Sequence, residues 1–168
     1  DTIKDGDLVL FDLGADYDHY CGDISRTLPV NGSFSPRQRS LYNIVLKAQE
    51  EVIRSIKPGI DYSKLNEIAK KTLAEGCIEI GLIKGEEEIS NYYYHGVSHY
   101  LGLDTHDIGN RDRKLEAGMV ITVEPGLYIK EEGIGIRIED DVLVTDKGCQ
   151  VLSKDIPKTI EDIEKAMG

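Results

Sequence analysis

The chain contains no tryptophan among its 168 residues and only three cysteines. Cys21, Cys77 and Cys149 are far apart, odd in number and form no CxxC pair. That argues against a disulfide scaffold and against a zinc–thiolate site, and it makes a reducing cytoplasm the expected compartment. No stretch approaches the roughly 20 apolar residues that a spanning helix needs, so no membrane partner is expected. The opening residues Asp1-Thr2-Ile3-Lys4-Asp5-Gly6-Asp7 carry no signal-peptide pattern. Positive charge is scarce as well. Twenty Lys and Arg face 31 Asp and Glu, a formal net charge of −11. Such a surface repels phosphate backbones, so no nucleic-acid partner is expected.

What is present is ordinary globular material. Hydrophobic residues make up 40% and charged residues 30%, which excludes wholesale disorder. The length suits one domain with one core. Leu8 to Leu13 reads as a strand between Gly6 and Gly14, and residues 16–30 form a second extended segment closed by Pro29 and Asn31-Gly32. Ser35-Pro36 starts a helix, with apolar residues from Leu41 to Ile53 at helical spacing and an end before Pro58-Gly59. A second helix begins near Asp61 or Ser63 and is expected to stop at Gly76, with a short helix over 78–83. Glu86-Glu87-Glu88 reads as a solvated charge run. Residues 119–129 and 134–145 are strand candidates joined by a hairpin at 130–133, and 158–167 forms a terminal helix. This order predicts an α+β fold with an antiparallel sheet.

Several carboxylates stand at the ends of apolar strands. Asp12 shares strand parity with Leu8 and Leu10, Glu124 follows Val120-Ile121-Thr122-Val123, and Glu139 follows Ile136-Arg137-Ile138. Burying such a group is costly unless it is paired or bound to a metal. Each has a plain structural alternative: a turn bond near Gly14 for Asp12, a solvated ion-pair face for Arg137 and Glu139. Asp23 adds a fourth carboxylate, close to Asp12 if the two extended segments pair antiparallel. Four clustered carboxylates need positive charge among them, from Arg26, Arg137 or divalent ions. His95, His99 and His106 lie within twelve residues. Gly96 and Gly102 argue against a regular helix there. One histidine with four carboxylates suits Mn²⁺, Co²⁺, Mg²⁺ or Fe²⁺ better than a structural zinc. Tyr92-Tyr93-Tyr94 and Tyr100 are read as core packing or as a pocket wall.

Five runs together resemble the pita-bread dinuclear metallopeptidases, in the branch of Xaa-Pro aminopeptidase (aminopeptidase P) and Xaa-Pro dipeptidase (prolidase). They are Leu10-Phe11-Asp12-Leu13-Gly14-Ala15, Gly22-Asp23-Ile24-Ser25-Arg26-Thr27, the stretch from His95-Gly96-Val97-Ser98-His99 to Asp104-Thr105-His106-Asp107, Thr122-Val123-Glu124-Pro125-Gly126-Leu127-Tyr128, and Gly135-Ile136-Arg137-Ile138-Glu139-Asp140-Asp141. The resemblance implies the pita-bread (creatinase/aminopeptidase-like) fold, an antiparallel sheet covered by helices. It implies metal ligands at Asp12, Asp23, His99, Glu124 and Glu139. Asp12 would serve one metal, His99 and Glu124 the other, and Asp23 and Glu139 would span the pair. It also implies catalytic roles for His95 and His106 on substrate and the tetrahedral intermediate, for Glu124 in proton transfer, and for Arg137 in holding the network.

The implied cofactor is two divalent ions, with Mn²⁺ favoured over Co²⁺, Zn²⁺ or Fe²⁺, and two such ions would neutralise the four carboxylates. The implied reaction is hydrolysis of the Xaa-Pro bond at the N-terminus of proline-containing peptides by a metal-bridging hydroxide. Alternatives are a prolidase, a methionine aminopeptidase or creatinase-like relative, and a non-catalytic peptide-binding module. The family's catalytic domain runs to roughly 250 residues, and its further histidine upstream of the first aspartate has no counterpart, since His19 lies downstream. Residues 1–168 are therefore expected to be an N-terminally truncated part of the catalytic domain. Exposed apolar strands would then favour a homo-oligomer or association with the missing N-terminal part, and activity of the fragment alone does not follow.

Overall fold

The computed structural model describes residues 2–168. Strand β1 (Leu8–Leu13) pairs antiparallel with β4 (Ile24–Pro29), with Asp12 opposite Ser25. Between them the expected single extended segment is broken. A two-residue ribbon, β2 (Asp16–Tyr17) and β3 (Tyr20–Cys21), turns tightly through Asp18 and His19, both at positive φ. Helix α1 (Pro36–Ser55) starts as its sequence predicts. The Ser35 hydroxyl accepts from Gln38 N–H, and the Gln38 side chain accepts from Ser35 N–H, a reciprocal capping box.

Helix α2 (Tyr62–Glu79) does not stop at Gly76, and no separate helix covers 78–83. Gly76 is a packing glycine instead. A Cβ there would lie 2.8 Å from the Cγ atoms of Ile44, so the missing side chain lets α2 approach α1. Glu86–Asn91 winds into a 3₁₀ turn.

Each of the two long strand candidates is cut in half at a glutamate. Residues 119–129 become β5 (Val120–Val123) and β6 (Gly126–Ile129), and residues 134–145 become β7 (Ile134–Arg137) and β8 (Asp140–Val144). β6 and β7 form the expected hairpin. β5 pairs instead with β8, which also pairs with β9 (Cys149–Val151). All pairings are antiparallel, but they make four small sheets and not one. Helix α3 (Ile160–Met167) follows, capped by Thr159.

The chain crosses from one sheet to the other twice, at Glu124-Pro125 and at Ile138-Glu139. Two apolar clusters hold these sheets under the helices. Leu41, Ile44, Val45 and Leu73 pack on Leu127, Ile129 and Ile136 of the hairpin. Val52, Leu65 and Ala69 pack on Ile121, Val123, Val142 and Val144 of the other sheet. The two crossovers sit between the clusters, so both glutamates are carried on rigid, buried backbone. The outer face of β1 is not covered. Phe11 and Leu13 are exposed, and with Leu152 and Ile156 they line an apolar groove of about 520 Å³. No helix among the described residues is long and apolar enough to cross a membrane.

Candidate metal centre

The histidine segment is irregular because it runs beside β5. Glu124 N–H donates to the Val97 carbonyl at 2.8 Å, Thr122 N–H to the His99 carbonyl at 2.9 Å, and Leu101 N–H to the Val120 carbonyl at 3.1 Å. This strand-like pairing, and no helical face, brings His99 to Glu124. On the other side, the β1–β4 register brings Asp12 near Asp23. There Gly14 and Gly22 touch so closely that a Cβ on Gly14 would lie 1.7 Å from the Gly22 carbonyl oxygen.

The five expected ligands face one another. Oxygens of Asp12, Asp23 and Glu139 lie within 4.8 Å of each other, and so do donor atoms of His99, Glu124 and Glu139. The two groups share Glu139. A third group of the same span joins Asp23, His99 and His106. His99 Nδ1 lies 3.0 Å from the Tyr100 carbonyl, an acceptor, which assigns the ring proton to Nδ1. Its Nε2 then presents a lone pair toward Asp23 at 3.3 Å, Glu124 at 3.7 Å and Glu139 at 3.9 Å.

The electrostatics show what the cluster lacks. Burial pushes the Glu139 carboxyl up to about 8, against a hydrogen bond from Ser25 that lowers it. Burial likewise lifts Glu124 to about 7, with Arg137 opposing. Asp23 is raised by burial and then by the Asp12 carboxylate. Carboxylates and one imidazole lone pair that converge, without enough positive charge to keep them ionised, fit divalent cations.

Arg26, read as one source of that charge, points the other way. It is paired with Asp140 behind the sheet. Arg137 does face the cluster. It donates to Asp12 Oδ2 at 2.5 Å, Ser25 Oγ at 2.8 Å and Tyr128 Oη at 3.2 Å. Asp12 is itself half-exposed.

His95 and His106 differ. His106 is exposed, and its ring stands edge-on to that of His99, 4.4 Å between centroids. Both nitrogens of His95 are engaged. Nδ1 is 2.8 Å from the Gly96 carbonyl, and Nε2 accepts from Tyr128 O–H at 2.8 Å. Burial lowers its pKa, in keeping with a neutral ring. As it stands, His95 has no N–H free to donate to a substrate.

A pocket of about 330 Å³ joins Asp12, His95, His99, His106, Glu124 and Arg137. Larger concavities lie elsewhere, one of them about 720 Å³ beside Tyr94, Tyr128 and Lys130. The tyrosine wall read at 92–94 does not line the donor pocket. Tyr93 is core, Tyr94 is exposed against Tyr128, and Tyr100 stacks on Tyr62. Three residues were missed. Ser25 and Tyr128 stood inside the quoted runs, but only the fold shows their hydroxyls joining Arg137 to Glu139 and to His95. Arg111 lines the pocket from a loop with no periodicity to mark it, and it pairs with no carboxylate among the described residues.

Residues 1–146 match the model of metallopeptidase family M24. The chain belongs to that family. A Haemophilus influenzae Xaa-Pro aminopeptidase is 44% identical over 98% of this chain. A provisionally assigned aminopeptidase P of Bacillus anthracis is 62% identical, with a TM-score of 0.98 over 99% of this chain and 40% of its own. A zinc-substituted Escherichia coli aminopeptidase P in complex with product is 42% identical, with a TM-score of 0.94 over 98% of this chain and 42% of its own. The fold of this M24 chain is thus the pita-bread fold of the aminopeptidase P structures. The chain spans less than half the length of these relatives, 43% of the H. influenzae protein.

Proposed function

We propose that this M24 chain forms part of the catalytic domain of a metal-dependent Xaa-Pro aminopeptidase, which removes the residue preceding proline at the N-terminus of peptides. The observation that carries the reading is the convergence of donor atoms of Asp12, Asp23 and Glu139, and of His99, Glu124 and Glu139, each set within 4.8 Å and joined through Glu139. Asp12, Asp23 and Glu139 would hold one divalent ion, and His99, Glu124 and Glu139 the second, with Mn²⁺ the expected metal. Bound there, two such ions supply Lewis acidity toward a water and toward the scissile carbonyl.

The chain's own residues supply the rest. Glu124, facing His99 from the end of β5, is the carboxylate placed to take a proton and pass it to the proline nitrogen. His106 is the exposed ring N–H donor for the carbonyl oxygen. His95 acts from behind, locked by Tyr128. Arg137 spans Asp12, Ser25 and Tyr128 and so holds both sides of the pocket at a fixed separation. Three free cysteines agree with a cytoplasmic location. The apolar groove at Phe11 and Leu13 supports a homo-oligomer, or association with further polypeptide.

Peptides with proline in the second position, two residues long and three or more, test the activity in the presence of Mn²⁺. Cleavage of the longer peptides is expected, and cleavage of dipeptides alone would make the protein a prolidase. Stoichiometric Mn²⁺ binding without hydrolysis of either class would favour a peptide-binding module.

A further inference from the structure

Glu139 stands where the chain leaves one sheet for the other. β7 ends at Arg137 and β8 begins at Asp140, so Glu139 lies outside both ladders. β4 supplies what the ladders do not. Glu139 N–H donates to the Ser25 carbonyl at 3.0 Å. Arg26 Nη1 donates to the Glu139 carbonyl at 2.5 Å and to the Ser25 carbonyl at 2.9 Å. One guanidinium therefore clamps the backbone of β4 to the backbone of Glu139.

The remaining N–H groups of Arg26 are committed away from the pocket. Nη2 donates to Asp140 Oδ1 at 2.7 Å and to the Ile156 carbonyl at 3.3 Å, and Nε to the Pro157 carbonyl at 2.8 Å. All five donors of the fork have acceptors, so the group has one orientation. Asp140 is fully buried and also accepts from Ser153 Oγ at 2.7 Å, Gln49 Nε2 at 3.1 Å and Lys158 Nζ at 2.7 Å. The Lys158 carbonyl in turn accepts from Tyr42 O–H at 2.8 Å. Ser153, Ile156, Pro157 and Lys158 all lie beyond residue 146, where the family match ends. They nevertheless reach the back of the candidate site.

We propose that Arg26 is a positioning residue for Glu139, and that residues 153–158 form a strap that fixes Arg26 through Asp140 and Lys158. This rests on the reading of Glu139 as a metal ligand. Groups that orient ligating side chains are typically worth about 10–100-fold in metal affinity. A lysine at position 26 would keep a charge beside Asp140, but a point charge cannot span two carbonyls and a carboxylate at once.

The test uses the whole protein that contains this chain, with Arg26→Lys, Lys158→Met and Lys158→Arg. Mn²⁺ affinity is measured by calorimetry, and folding by circular dichroism and thermal melting. Arg26→Lys is expected to weaken Mn²⁺ binding about tenfold or more, and Lys158→Met by a smaller factor, while Lys158→Arg restores it. A merely structural role would lower the melting temperature and leave the Kd of the folded protein at the wild-type value. That result in Arg26→Lys and Lys158→Met overturns the proposal. If Arg26→Lys does not fold, the contrast between Lys158→Met and Lys158→Arg decides alone. Failure of the wild-type chain to bind Mn²⁺ would instead sink the ligand reading of Glu139, and this inference with it.

Discussion

Glu139 and Asp140 are neighbours in the chain and are equally buried, at 2% and 0% exposure. Their carboxyl groups nevertheless behave in opposite ways. Burial lifts Glu139 to about 8, and the nearby carboxylates Glu124, Asp23 and Asp12 add to it. Burial would lift Asp140 too, but Arg26 and Lys158 outweigh it and hold the group below its ordinary value. Burial alone therefore does not decide the charge of a carboxyl group; its partners do. On the Asp140 side of the sheet two cations, Arg26 and Lys158, face one carboxylate. On the Glu139 side the carboxylates outnumber the cations, and that imbalance marks a place built to receive one.

The contrast is sharpest when each carboxyl is removed. Asp140→Ala leaves Arg26 and Lys158 near an uncompensated buried site and is expected to cost about 3–5 kcal/mol in urea denaturation. Glu139→Gln removes a group that is strained when ionised. Its metal-free stability at pH 8 should stay level or rise, while Mn²⁺ affinity falls by more than the ~10–100-fold typical of an outer partner. If the two variants lost stability equally and both bound Mn²⁺ normally, the contrast would be false.

The pH dependence should also run in opposite directions. Glu139 and Glu124 have folded pKa values above the unfolded value of about 4.3, so the metal-free native state holds more protons than the unfolded chain. Their contribution to stability is greatest at low pH and is lost as pH rises through about 7 to 8. Asp140 is lowered, so its contribution is present above about 3.9 and is lost as pH falls through its folded value. Metal binding must displace protons from the two glutamates. Mn²⁺ affinity should climb from pH 5 to about 8 and then level, with proton release seen as a buffer-dependent calorimetric enthalpy. A flat profile would contradict the raised glutamates.

The smallest effect is expected from Ser25→Ala. It removes the hydrogen bond that holds the Glu139 carboxyl down and one acceptor of Arg137. The pH at which Mn²⁺ affinity levels should move upward, and Ser25→Thr, which keeps the hydroxyl, should not move it. An unshifted profile in Ser25→Ala would mean that Ser25 does not tune Glu139.

How much of this was legible in the chain depends on the length scale of the signal. The α1 start was written locally in Ser35-Pro36, and β1 in a short apolar run between Gly6 and Gly14. The candidate ligands were legible because a carboxylate at the end of an apolar strand violates the burial pattern around it. The breaks at Glu124 and Glu139 were not, because apolar strand residues resume after Pro125-Gly126 and after Asp140-Asp141, and only tertiary pairing shows the change of sheet. Gly76 was misread because a stop signal and a close-packing site look identical in one dimension. Arg26 was misread because its partners, Asp140 and the strap, lie more than a hundred residues away.

The central claim is that the converging donors hold divalent ions. Crystals soaked in Mn²⁺ and measured for anomalous scattering test it most directly. Two peaks are predicted, one among Asp12, Asp23 and Glu139 and one among His99, Glu124 and Glu139. A map with no peak at these residues, or with Mn²⁺ bound only elsewhere on the acidic surface, would contradict it.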